Sequence, residues 1–402
     1  MRILVIGAGV SALFFASFMD EGDITVIEKN EFAGRKLLAT GNGRCNFTNL
    51  NQGKEYFKSA NPNFVDYAIN AFDSNKLIDY FNEIGIATTH LPSGRCYPLT
   101  MSSKTVRDSL YLKAKENAKF VFNQEVIGID FDKKIVKTKD KSYTYDKLVI
   151  STGGKTLKNS GSDGKIFDLI KDRIKVTNMT YGITNFETKE KFSKKAKGTK
   201  ISGKASLLVD GKYVKSSVDD IIFQNYGLTG TAILDISNEL SISLKNKSKS
   251  QIEIDFFQDV TKEEFASYIR NLTKKFPART IKEILIGIIN EKLIDDILKV
   301  AKISPDKKAN NLNDKDYQML CKTLKSLIFN VTEIHDKVNA QVTIGGVDTR
   351  YIDPKTMAHK KYKDVFFLGE CLDVAGDCGG YNIWWAAASA FVSSKFLRSL
   401  NV

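Results

Sequence analysis

Residues 2–12 read RILVIGAGVSA, the most informative pattern in the sequence for the fold class. The run RILVIG is rich in Ile, Leu and Val, as is typical of a buried parallel strand, and a GxGxxA pattern follows over residues 7–12. A helix-like segment, SALFFASFMD, comes next, and a second strand-like run, ITVIEK, follows it. This order predicts a strand–turn–helix–strand unit of the dinucleotide-binding α/β class.

Each element of that pattern would have a physical role in holding a dinucleotide. Gly7 allows the tight turn out of the strand, Gly9 lets a pyrophosphate approach the backbone, and Ala12 lets the helix pack closely on the strand. The helix N-terminus offers N–H groups and the positive end of a dipole to phosphates. Glu28 lies at the end of the second strand, where a carboxylate binds a ribose hydroxyl. An acid at this position favours FAD or NAD over NADP.

The bulk composition is that of a globular chain with room for two or three domains. The chain has 402 residues, of which 42% are hydrophobic and 27% are charged, and its net charge is +13. The positive charge indicates either an anionic partner such as nucleic acid or the lysine bias of an AT-rich genome. The five cysteines form no zinc-type spacing and no CxxC pair, which predicts a cytoplasmic protein with free thiols and no metal site. No run is long and apolar enough to predict a membrane span.

Two further segments have the composition of cofactor loops. Residues 34–49, GRKLLATGNGRCNFTN, contain three glycines and three basic residues, and such a loop can present N–H groups to a phosphate or a flavin edge. Residues 364–385 form a strand-like run, then a glycine pair, Gly379-Gly380, that opens a helix. N–H groups at such a helix start can face an electron-rich edge, which in a flavin is N1–C2=O.

The sequence resembles the BaiN-like bacterial flavoproteins, a family also described as aminoacetone oxidase-like or NAD(P)/FAD-dependent oxidoreductases. The resemblance extends from the first strand to the last helix and departs at Asn225, where the family usually has histidine. It implies a glutathione-reductase-type FAD-binding Rossmann domain, non-covalent FAD, and NAD(P)H as a transient electron donor. The segments that carry it are residues 34–49, NYGLTGTAIL (225–234), VTIGGVD (342–348), DPKTM (353–357) and GECLDVAGDCGGYNIWWA (369–386).

The motifs and the resemblance together predict a set of cofactor-binding residues. Val126 enters because the first meander strand of glutathione-reductase-type domains meets the adenine through a backbone group, and Thr152 and Gly153 because a returning strand that ends in T-G-G resembles the second signature of these domains. The full set is Gly7, Gly9, Ala12, Glu28, Lys29, Arg35, Lys36, Thr40, Gly41, Asn42, Gly43, Val126, Thr152, Gly153, Gly369, Glu370, Asp373, Gly379, Gly380, Tyr381 and Asn382.

One catalytic candidate comes from the glycine-rich loop. Cys45 follows the glycines that should pass near the flavin, so it is a candidate general acid. The alternative interpretation is a small buried thiol that only packs. Trp384 and Trp385 are interpreted as packing residues of the last helix.

The change of pattern along the chain predicts an insertion into the FAD-binding domain. The predicted FAD-binding domain is discontinuous and comprises residues 1–185 and 331–402. Residues 186–260 alternate in short strand-like pieces and are interpreted as an inserted β module. Residues 261–330 show apolar residues at spacings of three and four and are interpreted as a helical segment.

The predicted activity is that of an FAD-dependent oxidoreductase that is reduced by NAD(P)H and reduces a C=C bond. The family resemblance and the positive charge favour reduction of uridine to dihydrouridine in ribosomal RNA, with a lysine-rich stretch as the phosphate-binding surface. One alternative is an oxidase or reductase of a small amine or enone, and another is a flavin-binding sensor without turnover. The lysines of that stretch are Lys189, Lys191, Lys194, Lys195, Lys197, Lys200 and Lys204.

Overall fold

A computed structural model describes residues 1–20 and 22–400 of the chain, and these residues form two compact units. Unit 1 comprises Met1–Gly182 and the described residues from Val338 onward, and unit 2 comprises Ile183–Lys337. The chain therefore leaves the first unit once, completes the second, and returns. No helix of the described residues is both long enough and apolar enough to cross a membrane.

The first segment of unit 1 opens with the strand–helix–strand unit expected from the GxGxxA pattern: β1 (Arg2–Ile6), α1 (Val10–Phe18) and β2 (Asp23–Ile27). Eight of the nine residues of α1 are buried, as expected for a helix with apolar residues on all sides. The further strands are β3 (Thr48–Asn49), β4 (Phe57–Lys58), β5 (Thr88–His90), β6 (Arg95–Pro98), β7 (Lys119–Val121), β8 (Val126–Asp130), β9 (Ile135–Thr138), β10 (Ser142–Thr144), β11 (Lys147–Ile150) and β12 (Thr180–Gly182). The further helices are α2 (Asp66–Ala71), α3 (Ser74–Glu83), α4 (Ser103–Asn117) and α5 (Lys165–Ile170).

Unit 2 is a closed barrel accompanied by helices. Its six strands are β13 (Phe186–Thr188), β14 (Lys200–Val209), β15 (Lys212–Phe223), β16 (Gly227–Thr229), β17 (Ser250–Asp255) and β18 (Leu327–Ile334), and they close in the order β13–β16–β15–β14–β17–β18. Its helices are α6 (Thr231–Asp235), α7 (Ser237–Lys245), α8 (Lys262–Lys275), α9 (Ile281–Leu285), α10 (Glu291–Ala301) and α11 (Asp314–Lys325). The last barrel strand, β18, comes from beyond these helices, so the barrel draws on residues on both sides of the helical segment.

The helices of unit 2 start where their sequences provide caps. Thr261, Thr280 and Asn313 each begin a helix with a reciprocal capping box, in which the cap and the third helical residue bond each other's backbone N–H groups. In α10 the buried residues Leu293, Ile294, Ile297, Leu298 and Ala301 recur at spacings of three and four. One face of that helix is therefore buried and the other is exposed.

The chain re-enters unit 1 with β19 (Val342–Ile344), β20 (Val365–Phe367), β21 (Ala375–Gly376) and the long α12 (Tyr381–Ser399). β20 joins a five-stranded sheet of order β20–β11–β1–β2–β7, in which every neighbouring pair is parallel. A separate antiparallel sheet of order β10–β9–β8 forms the predicted meander. This arrangement confirms the predicted α/β class with a Rossmann-type parallel sheet.

The register of the parallel sheet places the predicted motifs at one edge. Ile6 of β1 pairs with Ile27 of β2 and with Ile150 of β11, and Ile150 pairs with Phe367 of β20. These residues lie at the carboxyl ends of their strands. Ligands of open parallel sheets bind outside the carboxyl ends of the strands, so the residues that follow these strands define the candidate site.

Candidate cofactor site

The turn after β1 is held in a conformation that only glycine accommodates without strain. Gly7 has a φ of +91°, and its N–H donates to Ile27 O at 2.8 Å. A Cβ atom at Gly7 would lie 2.8 Å from Ser151 O, because the backbone that follows β11 passes directly over the turn. The tight turn expected at Gly7 is therefore present in the structure.

Gly9 opens helix α1 and leaves its N-terminus accessible. Gly9 is the N-cap residue, with φ −72° and ψ 178°, and no side chain caps the helix. The first turn of an α-helix leaves backbone N–H groups without intrahelical partners, so this end attracts an anion. A Cβ atom on Gly9 would meet only Ser151 O, at an ordinary 3.5 Å, so the protein itself does not require glycine here.

Glu28 is fixed beside this turn. The residue is 9% exposed, and its carboxylate accepts hydrogen bonds from Ala8 N at 2.7 Å, from Asn30 N at 2.9 Å and from Asn30 Nδ2 at 2.5 Å. These bonds orient the carboxylate at the end of β2. A carboxylate has about four acceptor positions, so one remains for a ligand hydroxyl.

The segment after β11 contains buried hydroxyls without partners. Thr152 Oγ1 and Ser162 Oγ are buried and have no hydrogen-bond partner among the described residues. They lie near Gly153, whose added Cβ would be 3.0 Å from Ser162 Oγ. Unpaired buried polar atoms are rare because they are costly, and a polar ligand would satisfy them. These orphaned oxygens beside the glycine turns fit a dinucleotide such as FAD.

The glycine-rich loop forms a 3₁₀ stretch, Lys36–Gly43, with a kink inside it. Thr40 Oγ1 donates to Leu37 O at 2.6 Å and thereby fastens the loop to itself. Gly41, Asn42 and Gly43 follow with left-handed φ angles of 55°, 54° and 79°. This backbone turns sharply, as the glycine content predicts.

Lys36 connects this loop to the returning segment of unit 1. Its Nζ lies 2.6 Å from Glu370 Oε2 and donates to Thr156 Oγ1 at 2.9 Å. Glu370 Oε1 also accepts from Thr343 N at 2.8 Å. The two predicted cofactor residues Lys36 and Glu370 are thus brought together from distant parts of the sequence into one ion-paired network.

Two other predicted basic residues bind protein partners near the second strand. Lys29 Nζ lies 2.9 Å from the Asp163 carboxylate, and both side chains are about three-quarters buried. Arg35 Nη1 donates to Asn30 Oδ1 at 2.9 Å, and its guanidinium lies over the Phe32 ring. Both residues therefore help to position the loop around Glu28. Their direct contact with a cofactor stays a prediction.

The glycine pair before α12 forms the second helix N-terminus of the site. Gly380 has a φ of +98° and is the N-cap, without a side-chain cap. A Cβ on Gly380 would lie 2.6 Å from both Thr48 N and Thr48 O, so this helix start packs directly on the β3 backbone. Thr48 Oγ1 is a further buried hydroxyl without a described partner.

The side chains next to Gly380 hold the loop rather than point out of it. Asn382 uses both ends of its amide on Gly376, accepting from Gly376 N and donating to Gly376 O, each at 2.8 Å. The Tyr381 ring stacks on Tyr56 at 4.5 Å between centroids, and its hydroxyl donates to Asn51 O at 3.0 Å. The residues of this motif therefore shape the N-terminus of α12, with Gly379 preceding it.

The remaining predicted residues lie elsewhere in unit 1. Ala12 is fully buried in α1, and Val126 is partly buried at the start of β8. Gly369 N donates to Ser389 Oγ at 3.0 Å, and Asp373 Oδ2 accepts from Ala60 N at 3.2 Å. Their roles in cofactor binding stay predictions.

Several hydroxyl residues of the site were absent from the predicted set. Ser11 Oγ and Ser151 Oγ bond each other at 2.7 Å across the α1 start and the β11 end, and Thr156 bonds both Lys36 and Glu370. Ser151 and Thr156 flank the T-G-G signature, which was the only sequence signal that pointed to them. Single Ser and Thr residues show no periodicity, so the remaining hydroxyls had no signal.

Cys45 lies in the core of unit 1. Its side chain is fully buried, and this burial raises the pKa of the thiol to about 12, against a hydrogen bond with Thr40 that lowers it. The thiol thus stays protonated at neutral pH and has no route to solvent in this conformation. The structure favours packing for Cys45, and its role as a general acid stays a prediction.

The burial of Cys45 predicts slow alkylation of the native protein. Burial raises the pKa of Cys371 to about 12 and that of Cys96 to about 11, so all three thiols should react slowly with iodoacetamide at pH 8. Cys378 is only partly buried and should be labelled first. Mass spectrometry of peptides after timed alkylation measures the order, with denatured protein as the control. Labelling of Cys45 as fast as Cys378 would show that the loop opens.

Asp348 predicts a pH-dependent contribution to the stability of unit 1. Its buried carboxylate accepts from Arg350 Nη2 at 2.6 Å and from Arg350 Nε at 2.9 Å. The guanidinium lowers the pKa of the Asp348 carboxyl, although burial acts in the opposite direction. The ion pair therefore stabilises the folded state fully above the unfolded-state pKa of this carboxyl. That stabilisation is lost as the pH falls through the lowered folded-state pKa. Arg350→Ala should lower the midpoint of thermal unfolding by a few degrees at pH 7, because it leaves a buried carboxylate poorly paired.

A matched control for this prediction is Arg173→Ala, which removes an ion pair with Asp132. Both side chains of that pair are more than half exposed. Exposed pairs contribute little, so this variant should melt as the wild-type protein does. Thermal unfolding of all three proteins from pH 7 downward measures the effect. The prediction is contradicted if Arg350→Ala lowers the midpoint of thermal unfolding no more than Arg173→Ala does. It is also contradicted if the decrease caused by Arg350→Ala is the same at low pH as at pH 7.

The lysine-rich stretch lies in unit 2, where it begins directly after β13 and ends inside β14. Six of its seven lysines are exposed and Lys204 is partly buried. Lys191 pairs with Glu187 and Lys200 pairs with Asp220. Within the described ranges, Lys189, Lys194, Lys195 and Lys197 form no ion pair. Their ammonium groups are therefore available to an anionic partner.

Metal chemistry was not expected from the sequence. Over residues 1–20 and 22–400, no group of three or more His, Cys, Asp or Glu side chains is arranged to hold a metal ion. The polar groups of the candidate site are the turns, hydroxyls and ion pairs described above.

Comparison with known proteins relates the whole chain to one family. The family model described as HI0933-like protein Rossmann domain matches residues 1–396. The 3-dehydro-bile acid delta(4,6)-reductase of Clostridium scindens is 25% identical over 402 residues, covering 98% of each chain. The ribosomal RNA dihydrouridine synthase of Escherichia coli is 27% identical over 402 residues, covering 98% of this chain and 97% of the relative.

A solved structure with a similar trace is 3-ketosteroid delta1-dehydrogenase from Sterolibacterium denitrificans, in complex with 1,4-androstadiene-3,17-dione. It is 10% identical, with a TM-score of 0.47, and the alignment covers 99% of both chains.

Proposed function

The chain belongs to the HI0933-like family of Rossmann-domain proteins, and we propose that it is an FAD-dependent oxidoreductase that reduces a C=C bond conjugated to a carbonyl group. The observation that carries this proposal is the cofactor cradle of unit 1. Two uncapped helix N-termini, at Gly9 and Gly380, lie in the same unit as the fixed Glu28 carboxylate. Buried hydroxyls without described partners lie beside the glycines.

The chain's residues divide the binding of FAD between them. The start of α1 offers N–H groups to a pyrophosphate, and Glu28 offers a carboxylate oxygen to a ribose hydroxyl. The start of α12 offers N–H groups to an electron-rich ring edge. FAD, when bound, supplies the two-electron redox chemistry. The Lys36–Glu370 pair keeps the glycine-rich loop and the returning segment together around the site.

The proposed type of bond is supported by the names of the two relatives. One name describes a reductase of a 3-dehydro-bile acid with delta(4,6) unsaturation, and the other describes the formation of dihydrouridine. Both substrates implied by these names hold a ring C=C bond conjugated to a carbonyl group. The carbonyl polarises such a bond, so hydride adds to the carbon distant from the carbonyl and a proton adds to the other. A shared reaction of this type needs no shared substrate shape.

For the substrate, we propose uridine in ribosomal RNA. The support is the name of the Escherichia coli relative together with the exposed lysines of unit 2, which suit a phosphate backbone. The second candidate is a small cyclic enone, which the name of the Clostridium scindens relative favours. The electron donor in either reaction is NADH or NADPH. The sequence has no second GxGxxG pattern, so the nicotinamide would bind transiently.

The experiment that tests the substrate uses FAD-loaded protein under anaerobic conditions with NADH or NADPH. Ribosomal RNA that lacks dihydrouridine and a 3-oxo-4-ene steroid are supplied in separate reactions, and the products are measured by mass spectrometry. Dihydrouridine in the RNA supports the proposed substrate. Saturation of the steroid alone rejects uridine in favour of the small enone, and no product from either rejects conjugated C=C reduction.

A further inference from the structure

We infer that Tyr226 and His335 form a stacking platform for a base of single-stranded RNA, continuous with the lysine surface of unit 2. This surface comprises Lys189, Lys191, Lys194, Lys195 and Lys197. The inference deepens the proposed function and rests on its RNA substrate. The platform brings together two residues that are far apart in the sequence, and neither was predicted as a site residue.

The two rings are stacked face to face. Their centroids are 3.4 Å apart with an interplanar angle of 9°. Tyr226 lies in the turn between β15 and β16, and His335 directly follows β18. The imidazole is a third exposed and the tyrosine is partly buried. One aromatic surface is thus held flat near solvent by two barrel strands.

The platform is fixed by its neighbours. His335 N donates to Asn185 O at 3.0 Å, and His335 Nδ1 lies 2.8 Å from Glu187 Oε1. Lys191 Nζ donates to the backbone oxygen of Tyr226. A surface that is ordered before binding loses less conformational entropy when a base stacks on it. An ordered pair of rings is therefore better suited to binding a base than a single mobile tyrosine on the surface would be.

The lysine surface reaches the platform through Lys191. Its Nζ donates to Tyr226 O and lies 3.6 Å from Glu187 Oε2. Two nearby carboxylates accept hydrogen bonds from neutral donors. Glu190 accepts from Asn330 N and Nδ2, and Asp296 accepts from Ser193 N and Oγ. Four lysines of the surface, Lys189, Lys194, Lys195 and Lys197, form no ion pair in the described parts of the chain, so their ammonium groups remain for a partner.

A basic surface next to an ordered aromatic surface is the combination that binds single-stranded nucleic acid. Lysines neutralise successive phosphates, and stacking holds an unpaired base, which every base permits because each has a π-face. An enzyme that acts on a uracil ring needs that base unstacked from its neighbours. The lysine-rich stretch, residues 189–204, contains one aromatic residue, Phe192, so the stacking rings are supplied by Tyr226 and His335 from other parts of unit 2.

The test measures binding of fluorescein-labelled oligouridylate, about ten nucleotides long, to the full FAD-loaded chain by fluorescence anisotropy at several salt concentrations. Tyr226→Ala should weaken binding about tenfold or more, because it removes the stacking surface. Tyr226→Phe keeps the ring and should bind as the wild-type protein does. Tyr268→Ala, which removes a half-exposed tyrosine from α8 of the same unit, is the matched control and should have no effect.

The lysine part of the inference has its own variant. Lys194→Ala combined with Lys195→Ala should weaken binding and reduce the slope of log affinity against log salt by about 1.4, or roughly 0.7 for each phosphate that is no longer neutralised. Both residues are exposed and form no ion pair in the described parts of the chain, so the folded state should be unaffected. Circular dichroism and thermal unfolding of every variant confirm folding.

The possible outcomes separate this inference from the proposed function. Wild-type affinity in Tyr226→Ala, or equal losses in Tyr226→Ala and Tyr226→Phe, overturns the platform. Absence of oligouridylate binding by the wild-type protein overturns it as well. In those cases, reduction of a conjugated enone by the wild-type protein shows that the proposed reaction still stands. Stacking-dependent RNA binding without reduction of any conjugated bond supports the platform and rejects the reaction.

Discussion

Gly7→Ala is expected to lower the free energy of unfolding of unit 1 by about 3 kcal/mol or more and to abolish retention of FAD. About 1–2 kcal/mol arises because alanine is strained at a φ of +91°. A further 1–3 kcal/mol or so arises because the new Cβ would lie 2.8 Å from Ser151 O and 3.0 Å from Thr152 Cα, which are backbone atoms that cannot rotate away. Chemical denaturation and the flavin content of the purified protein measure the two effects.

The control for this prediction is Gly85→Ala, at a glycine of nearly the same conformation. Its φ is +84°, and a Cβ there would meet nothing within 4 Å. That variant should lose only the strain, about 1–2 kcal/mol, and keep its FAD. Equal losses at the two positions would show that the close approach of the β11 backbone to the turn is not what makes Gly7 necessary.

Gly9→Ala is expected to weaken FAD binding roughly 100-fold while leaving the stability of the FAD-free protein nearly unchanged. Position 9 has a φ of −72°, which alanine adopts freely, and its Cβ would meet only Ser151 O at 3.5 Å. The protein thus tolerates the methyl group. A pyrophosphate that approaches this backbone does not, and the loss of that approach costs about 2.7 kcal/mol for a 100-fold effect. Titration of the FAD-free protein with FAD measures the affinity.

The control for Gly9 is Gly287→Ala, where a Cβ in unit 2 would meet nothing within 4 Å. It should change neither stability nor FAD affinity. Normal FAD affinity in Gly9→Ala would mean that the pyrophosphate does not lie on the start of α1. Loss of stability in the FAD-free Gly9→Ala protein would mean that glycine serves the fold instead.

The local features of the site were predictable from the sequence because they depend on neighbouring residues. The turn at Gly7, the helix start at Gly9 and the position of Glu28 follow from one short pattern and its strand–helix periodicity. Trp384 and Trp385 were interpreted as packing residues, and both are buried in α12. A short range of sequence suffices for features of this kind.

The features that escaped prediction depend on contacts between distant segments. Lys36 bonds Glu370 across 334 positions, and no pattern within either segment indicates the other. The barrel closes by pairing β13 with β18, which lies beyond all the helices of unit 2, whereas the predicted β module ended at residue 260. The stack of Tyr226 on His335 depends on the same closure. Pairings of this type become visible only when the chain is folded.

Reduction of a conjugated C=C bond by the bound flavin is tested by reoxidation of the reduced, FAD-loaded protein without oxygen. The protein is reduced with a stoichiometric amount of dithionite and mixed with 2-cyclohexenone or with cyclohexene, and the flavin absorbance is followed. The proposed reaction predicts that 2-cyclohexenone restores the oxidised spectrum and yields cyclohexanone, because its C=C bond is polarised by the carbonyl, and that cyclohexene does not. A flavin that stays reduced with 2-cyclohexenone, and also in a parallel sample with ribosomal RNA that lacks dihydrouridine, and that is reoxidised only when air is admitted, would contradict the proposed reaction.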